Sequence, residues 1–261
     1  MAYQHLAVAQ HDGVVRLTLN RPALRNAFNG AMVAELTDWA VRTAADPGAR
    51  VAVIAGAGPT FCAGGDLAWM AQTARFTFEE NVQDAIAASR MFTAIDRLHI
   101  PVIARIQGGA FGGGAGLASV CDVVVSERDA TFGFTEVKLG IVPAVIAPFV
   151  LAKIGRSAAR ELFLTGRRFS AQHALEIGLA HTLAARADLD TAVDAVVAEI
   201  LQAGPEAIAA AKALIAGVWD RGHAEATALT TKTLAERRAS AEGQEGLSAF
   251  LEKRKPTWSR S

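Results

Sequence analysis

The chain has 261 residues, of which 51% are hydrophobic, and its 26 basic residues are balanced by 26 acidic ones. A chain of this length and apolar content can bury a large core within one α/β domain. Because the formal net charge is zero, no overall field attracts nucleic acid or an anionic membrane surface. We therefore expect neither of these as a partner.

The cysteine content and the N-terminal residues both bear on the compartment in which the protein is expected. Cys62 and Cys121 are the two cysteines, which is typical of reduced thiols rather than of a disulfide framework. The first residues lack a charged segment followed by an apolar one, as a signal peptide would have. The most apolar window, residues 139–154, contains two prolines and is too short to span a bilayer. We therefore expect a cytoplasmic protein.

Strands are predicted first by alternation and then by short apolar runs. Residues 15–19 alternate apolar and polar side chains, which predicts a half-buried strand. Three further runs, bounded by glycine, proline or charge, predict strands buried on both faces: residues 51–55, 102–106 and 123–125. Because helical patterns lie between these strands, the first half of the chain predicts βαβ units with right-handed crossovers.

One of these helices has recognisable ends. Thr77 and Glu80 have the spacing of a capping box, which predicts the helix start. The apolar residues that follow recur at helical spacing and predict one buried stripe: Ala88, Met91, Ile95 and Leu98. Pro101 disfavours helix at the residue before it, so the helix is expected to end there.

From residue 157 onward the pattern is almost entirely helical. The predicted helices cover residues 158–165, 171–177, 189–201, 205–218, 224–239 and 242–253, with one short strand over 179–182. No flexible linker or repeat interrupts the pattern. We therefore divide the chain into an α/β core over residues 1–195 and a helical C-terminal region over 196–261, which packs on the core or on a neighbouring subunit.

Two glycine-rich segments, residues 60–69 and 107–117, each follow a predicted buried strand and precede a helical pattern. Glycine lets the backbone adopt positive φ or approach a ligand closely, and helix N-termini present unpaired N–H groups. Three interpretations stay open: tight turns alone, a phosphate cradle, or an oxyanion hole that holds a carbonyl oxygen gaining charge. Neither segment has a P-loop pattern, and the second lacks G-x-G-x-x-G, which disfavours nucleotide binding.

Four segments resemble, in order, the motifs of the crotonase (enoyl-CoA hydratase/isomerase) superfamily. Residues 61–67 (FCAGGDL) and 107–118 (QGGAFGGGAGLA) resemble its two oxyanion loops. Residues 21–28 (RPALRNAF) resemble the segment that lines the CoA site, and residues 132–143 resemble the segment with a catalytic carboxylate. The resemblance implies an α/β crotonase fold of repeated ββα units, whose C-terminal helices form trimers that often stack into hexamers.

The resemblance also implies roles for residues of the site. It implies a CoA thioester substrate, no metal, and no cofactor beyond the coenzyme A of the substrate. The implied oxyanion donors are the backbone N–H groups of Ala63 and Gly113, and the implied catalytic carboxylate is Glu136. The implied substrate contacts are Arg25, Ala27, Cys62, Asp66, Leu67, Phe111, Gly112, Gly116 and Pro143, with Arg25 near the CoA phosphates.

Position 116 departs from the pattern of the familiar hydratases, which use two glutamates. Glu136 matches one of them, but Gly116 stands where the other is expected. The Δ3,Δ2-enoyl-CoA isomerases are similar to this chain in keeping only the carboxylate at the Glu136 position. Losing one acid–base partner matters, because such help contributes about 10²–10⁴ in rate.

Other segments resemble a hydratase subgroup. Residues 66–70 and 136–149 are similar to bacterial methylglutaconyl-CoA hydratases, whose substrates carry an extra carboxylate. This likeness implies a basic residue facing the acyl pocket, for which Lys138 and Arg90 are candidates. The leading prediction is a hydratase of 2-enoyl-CoA thioesters, on a branched or carboxylated substrate. An enoyl-CoA isomerase and a non-catalytic CoA-binding member of the family are the alternatives.

Other chemistries are disfavoured by the sequence. His173 and Glu176 have helical i, i+3 spacing but no third ligand nearby, and zinc sites need three or four ligands. Cys62 has no adjacent histidine to activate it, so a small buried residue is the simpler interpretation. The sequence contains no G-x-S-x-G elbow, which disfavours an α/β-hydrolase.

Overall fold

A computed structural model of the chain describes residues 3–259. Its strands are β1 (Leu6–His11), β2 (Val14–Leu19), β3 (Val51–Gly56), β4 (Val102–Ile106), β5 (Gly109–Phe111), β6 (Val123–Glu127), β7 (Thr131–Gly133), β8 (Arg168–Ser170) and β9 (Thr182–Ala184). Its helices are α1 (Gly30–Ala45), α2 (Leu67–Thr73), α3 (Phe78–Asp96), α4 (Gly113–Val120), α5 (Ala147–Thr165), α6 (Ala171–Glu176), α7 (Leu189–Gln202), α8 (Pro205–Val218), α9 (His223–Ala239) and α10 (Ala241–Leu251). Short 3-10 helices cover Pro22–Leu24, Glu136–Leu139 and Arg186–Asp188.

The larger sheet has the strand order β1-β2-β3-β4-β6-β9. Its strands pair in parallel except for the hairpin between β1 and β2, as expected for successive βαβ crossovers. One face is covered by α7, whose Val193 and Val197 pack with Val53 and Ile103. The main core, which includes apolar residues of α1 and α3, lies on the other face. Both faces are buried, which explains the continuous apolar runs in the central strands.

A second sheet has three strands in the order β5-β7-β8, and along the chain these strands alternate with the later strands of the larger sheet. Gln107 connects the two sheets: its side-chain amide donates to the carbonyl oxygens of Gly56 at 2.6 Å and Gly58 at 3.1 Å. Phe132 of β7 and Phe169 of β8 are paired across this sheet, and their rings stack with centroids 5.8 Å apart. This arrangement fixes the start of α4 beside the loop that follows β3.

Most predicted elements are confirmed. The strand over residues 102–106 and the helix over 205–218 have the predicted bounds, and the capping box of Thr77 and Glu80 is present at α3. The strand predicted over residues 179–182 is wrong in position, because β9 covers Thr182–Ala184. Helix α5 begins eleven residues earlier than predicted, at Ala147 rather than residue 158, with a non-helical Gly155 inside it.

The C-terminal helices contact the core through a small number of hydrogen bonds and ion pairs. Lys212 of α8 donates to the Asp122 carboxylate at 2.6 Å.

The predicted boundary between residues 195 and 196 falls inside α7, which packs on the sheet, so the region apart from the sheet begins after Gln202. Residues 260 and 261 of the predicted C-terminal region, and residues 1 and 2 of the core, lie outside the described residues.

Large apolar side chains are exposed on the C-terminal helices, and these are Ile215, Trp219, Leu234, Leu247, Phe250 and Leu251. Large exposed apolar side chains, where they form a patch, are typical of a protein–protein interface. Across residues 3–259, none of the helices combines the length and the apolar character that crossing a bilayer requires.

Candidate active site

A cavity of about 510 Å³ opens between several parts of the fold. Its walls are formed by the start of α1, by α2 and the loop before it, by one face of α3, by the start of α4, and by residues 135–146. The lining is mostly apolar, as is usual for a site that takes a small organic molecule. The predicted site residues that line it are Ala63, Leu67, Gly112, Gly113, Glu136 and Pro143.

Buried Asn26 holds the first glycine-rich loop in place. Its side-chain amide donates to the carbonyl oxygens of Ala57 and Thr60, at 2.9 and 2.8 Å, and its carbonyl oxygen accepts from the Arg21 amide at 2.9 Å. Both Arg25 and Asn26 have left-handed backbone conformations, with φ of 50° and 55°. This buried residue was not predicted, although asparagine tolerates the left-handed region better than most residues do.

The first loop uses two of its three central amides internally. The Ala63 amide donates to the Arg25 carbonyl oxygen at 3.0 Å. The prediction that Ala63 is an oxyanion donor is therefore wrong, because its hydrogen is already engaged. The Gly64 amide donates to the Cys62 thiol. Gly64 has φ of +90°, and a Cβ there would lie 2.8 Å from the Phe111 carbonyl oxygen, so only glycine fits.

Gly65 supplies the free amide of this loop. Phe28 and Gly65 form a short parallel β-bridge. In this bridge Phe28 N donates to Gly64 O at 2.7 Å, and Asp66 N donates to Phe28 O at 2.8 Å. Alternation therefore turns the Gly65 N–H to the opposite side of the loop, and Gly65 lines the cavity. Among residues 3–259 this amide has no acceptor, so it can donate to a ligand.

Gly113 supplies a second free amide at the first residue of α4. The N–H groups of a first helical turn have no partner within the helix, and the helix dipole adds positive potential there. The preceding Gly112 has φ of +50°, and its amide is held by Gly133 O at 2.8 Å. Gly113 and Gly65 both line the cavity, so two separate loops present amides to it. The prediction of Gly113 as a donor is consistent with this geometry.

Glu136 is the carboxylate beside these amides. A Cβ at Gly112 would lie 3.3 Å from Glu136 Oε1, which shows how closely the acid approaches the second loop. The other carboxylate oxygen, Oε2, is buried and has no hydrogen-bond partner within the described residues. Burial raises the pKa of Glu136 above that of an ordinary glutamate, and a hydrogen bond from its own backbone amide opposes the rise. A buried, unpaired acid at a cavity wall is a candidate general acid–base group.

Ile146 fills the space beside Gly116. A Cβ at Gly116 would overlap the Ile146 side chain, whose Cβ atom would lie 2.9 Å away. Ile146 is 3% exposed and lines the cavity, whereas Gly116 is buried behind it. The prediction that Gly116 contacts substrate is therefore wrong. A side chain at position 116 cannot enter the cavity while Ile146 keeps this position.

Several other predicted contact residues support the loops instead of lining the cavity. Asp66 accepts from the Ala68 and Trp69 amides as the N-cap of α2, and it pairs with Arg21 at 2.8 Å. Burial raises the pKa of Asp66, but hydrogen bonds from Arg21 and the helix amides offset this and hold it below the usual range.

The other residues predicted to contact the substrate lie outside the cavity lining, and most of them contact neighbouring protein groups instead. Cys62 is 0% exposed, donates to Asn26 O at 3.1 Å, and burial raises the pKa of its thiol to about 12, so its predicted substrate contact is wrong. Phe111 lies under the Arg168 guanidinium, 4.9 Å from its ring centroid, away from the cavity lining. Ala27 is buried, and its carbonyl oxygen accepts from Arg21. Arg25 is exposed, and its contact with CoA phosphates stays a prediction.

The cavity has a second carboxylate and no cation. Asp84 of α3 lines it, and burial raises the pKa of this group above the ordinary range. Among the described residues, no lysine, arginine or histidine lines the cavity. Arg90 lines a neighbouring groove between α1 and α3, and Lys138 packs near Gly166. The expectation that one of these two faces the acyl pocket is therefore wrong.

The other constellations carry no evident chemistry. His173 Nδ1 and Glu176 Oε2 lie 3.4 Å apart, and within residues 3–259 no cluster of three or more candidate ligands could hold a metal ion. Cys121 is buried, donates to Leu117 O at 3.2 Å, and its thiol pKa is raised to about 12 by burial.

Comparison with known proteins places this geometry in a family. The family model described as Enoyl-CoA hydratase/isomerase matches residues 9–261. The chain is 35% identical over 211 residues to the enoyl-CoA hydratase ACTT6 of Alternaria alternata, which covers 79% of this chain and 68% of that protein. Two solved structures superpose on the structure of this chain with a TM-score of 0.95. An enoyl-CoA hydratase from Shewanella pealeana is 35% identical over 98% of this chain and 96% of that one, and Pseudomonas aeruginosa AtuE is 38% identical over 98% and 100%.

These neighbours confirm the predicted α/β crotonase fold. The cavity, with its two free amides and buried carboxylate, lies within the matched residues. The chain belongs to the enoyl-CoA hydratase/isomerase family.

Proposed function

We propose that this chain adds water to a 2-enoyl-CoA thioester through a stabilised enolate, with Glu136 as the single acid–base group. The observation that carries this proposal is the buried, unpaired Glu136 Oε2 at a cavity wall that also presents the Gly65 and Gly113 amides. Family members of known structure are named enoyl-CoA hydratases, which supports hydration as the reaction.

The two amides hold the thioester carbonyl oxygen. When a nucleophile adds to Cβ, electrons move through the conjugated bond and negative charge develops on this oxygen. Backbone donors that are already fixed in position stabilise that charge without reorganisation, and one donor contributes about 3–4 kcal/mol to lowering the barrier. Gly65 and Gly113 are held by the loop and by the helix start, so neither must move to donate.

A single carboxylate can complete the proton balance of hydration. Glu136 accepts one proton from a water as the water oxygen bonds to Cβ, and the thioester enolate forms. The same carboxyl group then donates that proton to Cα, so one water is added and Glu136 returns to its ionised form. The raised pKa of Glu136 favours this cycle, because the group binds and releases a proton closer to neutral pH.

Isomerisation is the second candidate, and Ile146 favours it. In the familiar hydratases a second acid stands at position 116, where this chain has an apolar side chain overlying glycine. With water poorly held on that side, Glu136 could instead move a proton between two carbons of a 3-enoyl-CoA. The two reactions share the enolate and differ only in whether water is added.

The acyl chain that the cavity fits best is neutral. A carboxylated chain such as methylglutaconyl would place an anion among apolar groups and two acids, with no lysine, arginine or histidine of the described residues in the lining. An unpaired buried charge is costly. The cavity therefore supports a neutral straight or branched enoyl chain more than a carboxylated one.

A substrate screen of the wild type and Glu136→Gln in parallel tests these proposals. We expect loss of the conjugated-thioester absorbance with crotonyl-CoA, a product one water heavier, and slower turnover by the variant. A 3-enoyl-CoA converted without any gain of water would establish the isomerase instead. Binding of acyl-CoAs without turnover of any of them points to a non-catalytic CoA-binding protein, whereas turnover unaffected by the substitution would contradict the role of Glu136. Efficient hydration of methylglutaconyl-CoA alone would contradict the neutral-chain proposal.

We also propose that the exposed apolar side chains of α8–α10 are covered in a homotrimer, or in a hexamer built from two trimers. Six large apolar residues on these helices are exposed in the single chain. Sedimentation equilibrium should give a mass of three or six chains, and a stable monomer would contradict the proposal.

A further inference from the structure

The far end of the cavity is formed by α3, and it carries acceptor atoms without donors to match them. Asp84 and Asn81 lie one helical turn apart and both line the cavity. Asn81 already uses its side-chain amide, which donates to the carbonyl oxygens of Phe76 and Thr77 at 3.2 and 2.9 Å. Its carbonyl oxygen is therefore the atom left for a ligand, and the Asp84 carboxylate can only accept when ionised.

Asp84 has no partner of its own within the described residues. No hydrogen bond or ion pair to its carboxylate is found there, and burial is the sole cause of its raised pKa. Asp84 also borders the neighbouring groove that Arg90 lines, and no hydrogen bond or ion pair joins the two side chains within the described residues. Glu136 lies on a different wall and does not contribute to the pKa of Asp84, so the two acids are separate groups and not a coupled pair.

The position of Asp84 on α3 is also unusual. Asp84, Ala88, Met91 and Ile95 step by four, three and four residues, so the acid lies in line with the stripe that faces inward. Asp84 is half-buried there, and a carboxylate that has lost part of its hydration gains from a hydrogen-bond donor. Trp69 of α2 lines the cavity together with it.

We propose that Asp84 is a specificity-determining residue that accepts a hydrogen bond from a hydroxyl group on the acyl chain, remote from the thioester. This inference rests on the proposed function, since it describes the acyl part of the same CoA thioester. The carbonyl oxygen of Asn81 is a second acceptor for the same group. A neutral hydroxyl fits better than an ammonium group, because the ammonium would lose more hydration on entering a largely apolar cavity.

Binding of saturated acyl-CoAs tests the inference without requiring turnover. Calorimetry would compare straight-chain acyl-CoAs with their ω-hydroxy counterparts over a series of chain lengths. At the length that reaches Asp84, we expect the hydroxylated chain to bind wild type at least about tenfold more tightly, as a hydrogen bond to a charged group provides. Asp84→Leu should abolish this preference, and Asp84→Asn, which keeps an acceptor oxygen, should retain part of it. Glu79→Gln, an exposed acid on the same helix outside the cavity, is the matched control and should leave the ratio unchanged.

Each outcome decides the inference. No preference for the hydroxyl at any chain length, or a preference that survives in Asp84→Leu, overturns it, and normal turnover of unsubstituted enoyl-CoA would show that the proposed reaction still stands. Tighter binding of an ω-amino chain than of the hydroxy chain overturns the choice of hydroxyl. Absence of binding by every acyl-CoA overturns both the inference and the proposed function.

Discussion

The two ends of the cavity are built differently. At the thioester end the working groups are backbone amides, Gly65 and Gly113, with one carboxylate, Glu136. At the far end the lining consists of side chains from α2 and α3, such as Trp69 and Asp84. Backbone groups keep their chemistry whatever the neighbouring side chains are, whereas side-chain groups change with each substitution. We therefore expect the first end to define the reaction and the second end to select the substrate.

The largest effect should come from the carboxylate at the thioester end. We expect Glu136→Gln to lower kcat by about 10²–10⁴, because general acid–base help of this size is lost. Acyl-CoA affinity should change little, since the amides that hold the carbonyl remain. Steady-state kinetics together with calorimetry measures both quantities, with Glu79→Gln as the control. A variant that keeps full kcat would contradict the role of Glu136.

The amide donors should have the next largest effect. Gly64→Ala places a Cβ against Phe111 O at a residue with φ of +90°, so the loop must shift and move the Gly65 amide. We expect kcat to fall by about 10²–10³, as when one oxyanion donor is removed. Gly155→Ala is the control, since Gly155 also has positive φ but no atom within 4 Å of an added Cβ. Equal kinetic effects of the two variants would show that backbone strain alone is responsible.

Gly116 and Ile146 pack against each other between the two ends of the cavity, so the effects of substituting them on the free energy of unfolding should be coupled. Gly116→Ala overlaps Ile146 and should lower the free energy of unfolding by about 1–3 kcal/mol, the usual cost of overpacking. Ile146→Ala leaves a cavity and should cost about 2–5 kcal/mol. In the double variant the added methyl occupies released space, so the total cost should be below the sum by about 0.5–3 kcal/mol. Denaturant unfolding of the four proteins measures this, and simple additivity would contradict the contact.

The smallest effect is the pH dependence of stability due to Glu136. Burial raises its folded-state pKa above the unfolded value, so the folded state binds this proton more tightly. The stability from this group is therefore present at low pH and is lost as pH rises from the ordinary glutamate pKa through the raised one. We expect Glu136→Gln to gain in free energy of unfolding relative to wild type across that window. Denaturant unfolding of both proteins at several pH values measures this difference in the free energy of unfolding. A difference that stays constant with pH, or that changes in the opposite direction, would contradict the burial of the Glu136 carboxyl group.

Sequence reasoning succeeded where the signal is local. The run at residues 102–106 and the capping box at Thr77 are contained within a few neighbouring residues, and both are present as predicted. Strands β5, β7 and β8 have three residues each, too few to show an alternation, and they were not predicted. Their pairing depends on partners far along the chain.

At the site, the motifs identified the two loops but not which amide is free. Ala63 is engaged by the carbonyl oxygen of Arg25, and Gly116 is covered by Ile146, and neither long-range contact is visible in the motif itself. Asp84 did leave a signal, since it lies at helical spacing from the apolar stripe that was identified. A polar residue in line with such a stripe is worth examining as a ligand-binding group.

The roles of Gly65, Gly113 and Glu136 would be seen in a crystal structure of Glu136→Gln with a bound 2-enoyl-CoA. We expect the thioester oxygen to lie about 2.7–3.1 Å from the amide nitrogens of both Gly65 and Gly113, with the substituted side chain beside Cα and Cβ. A thioester oxygen bound to the Ala63 amide, or placed away from both glycines, would contradict these roles.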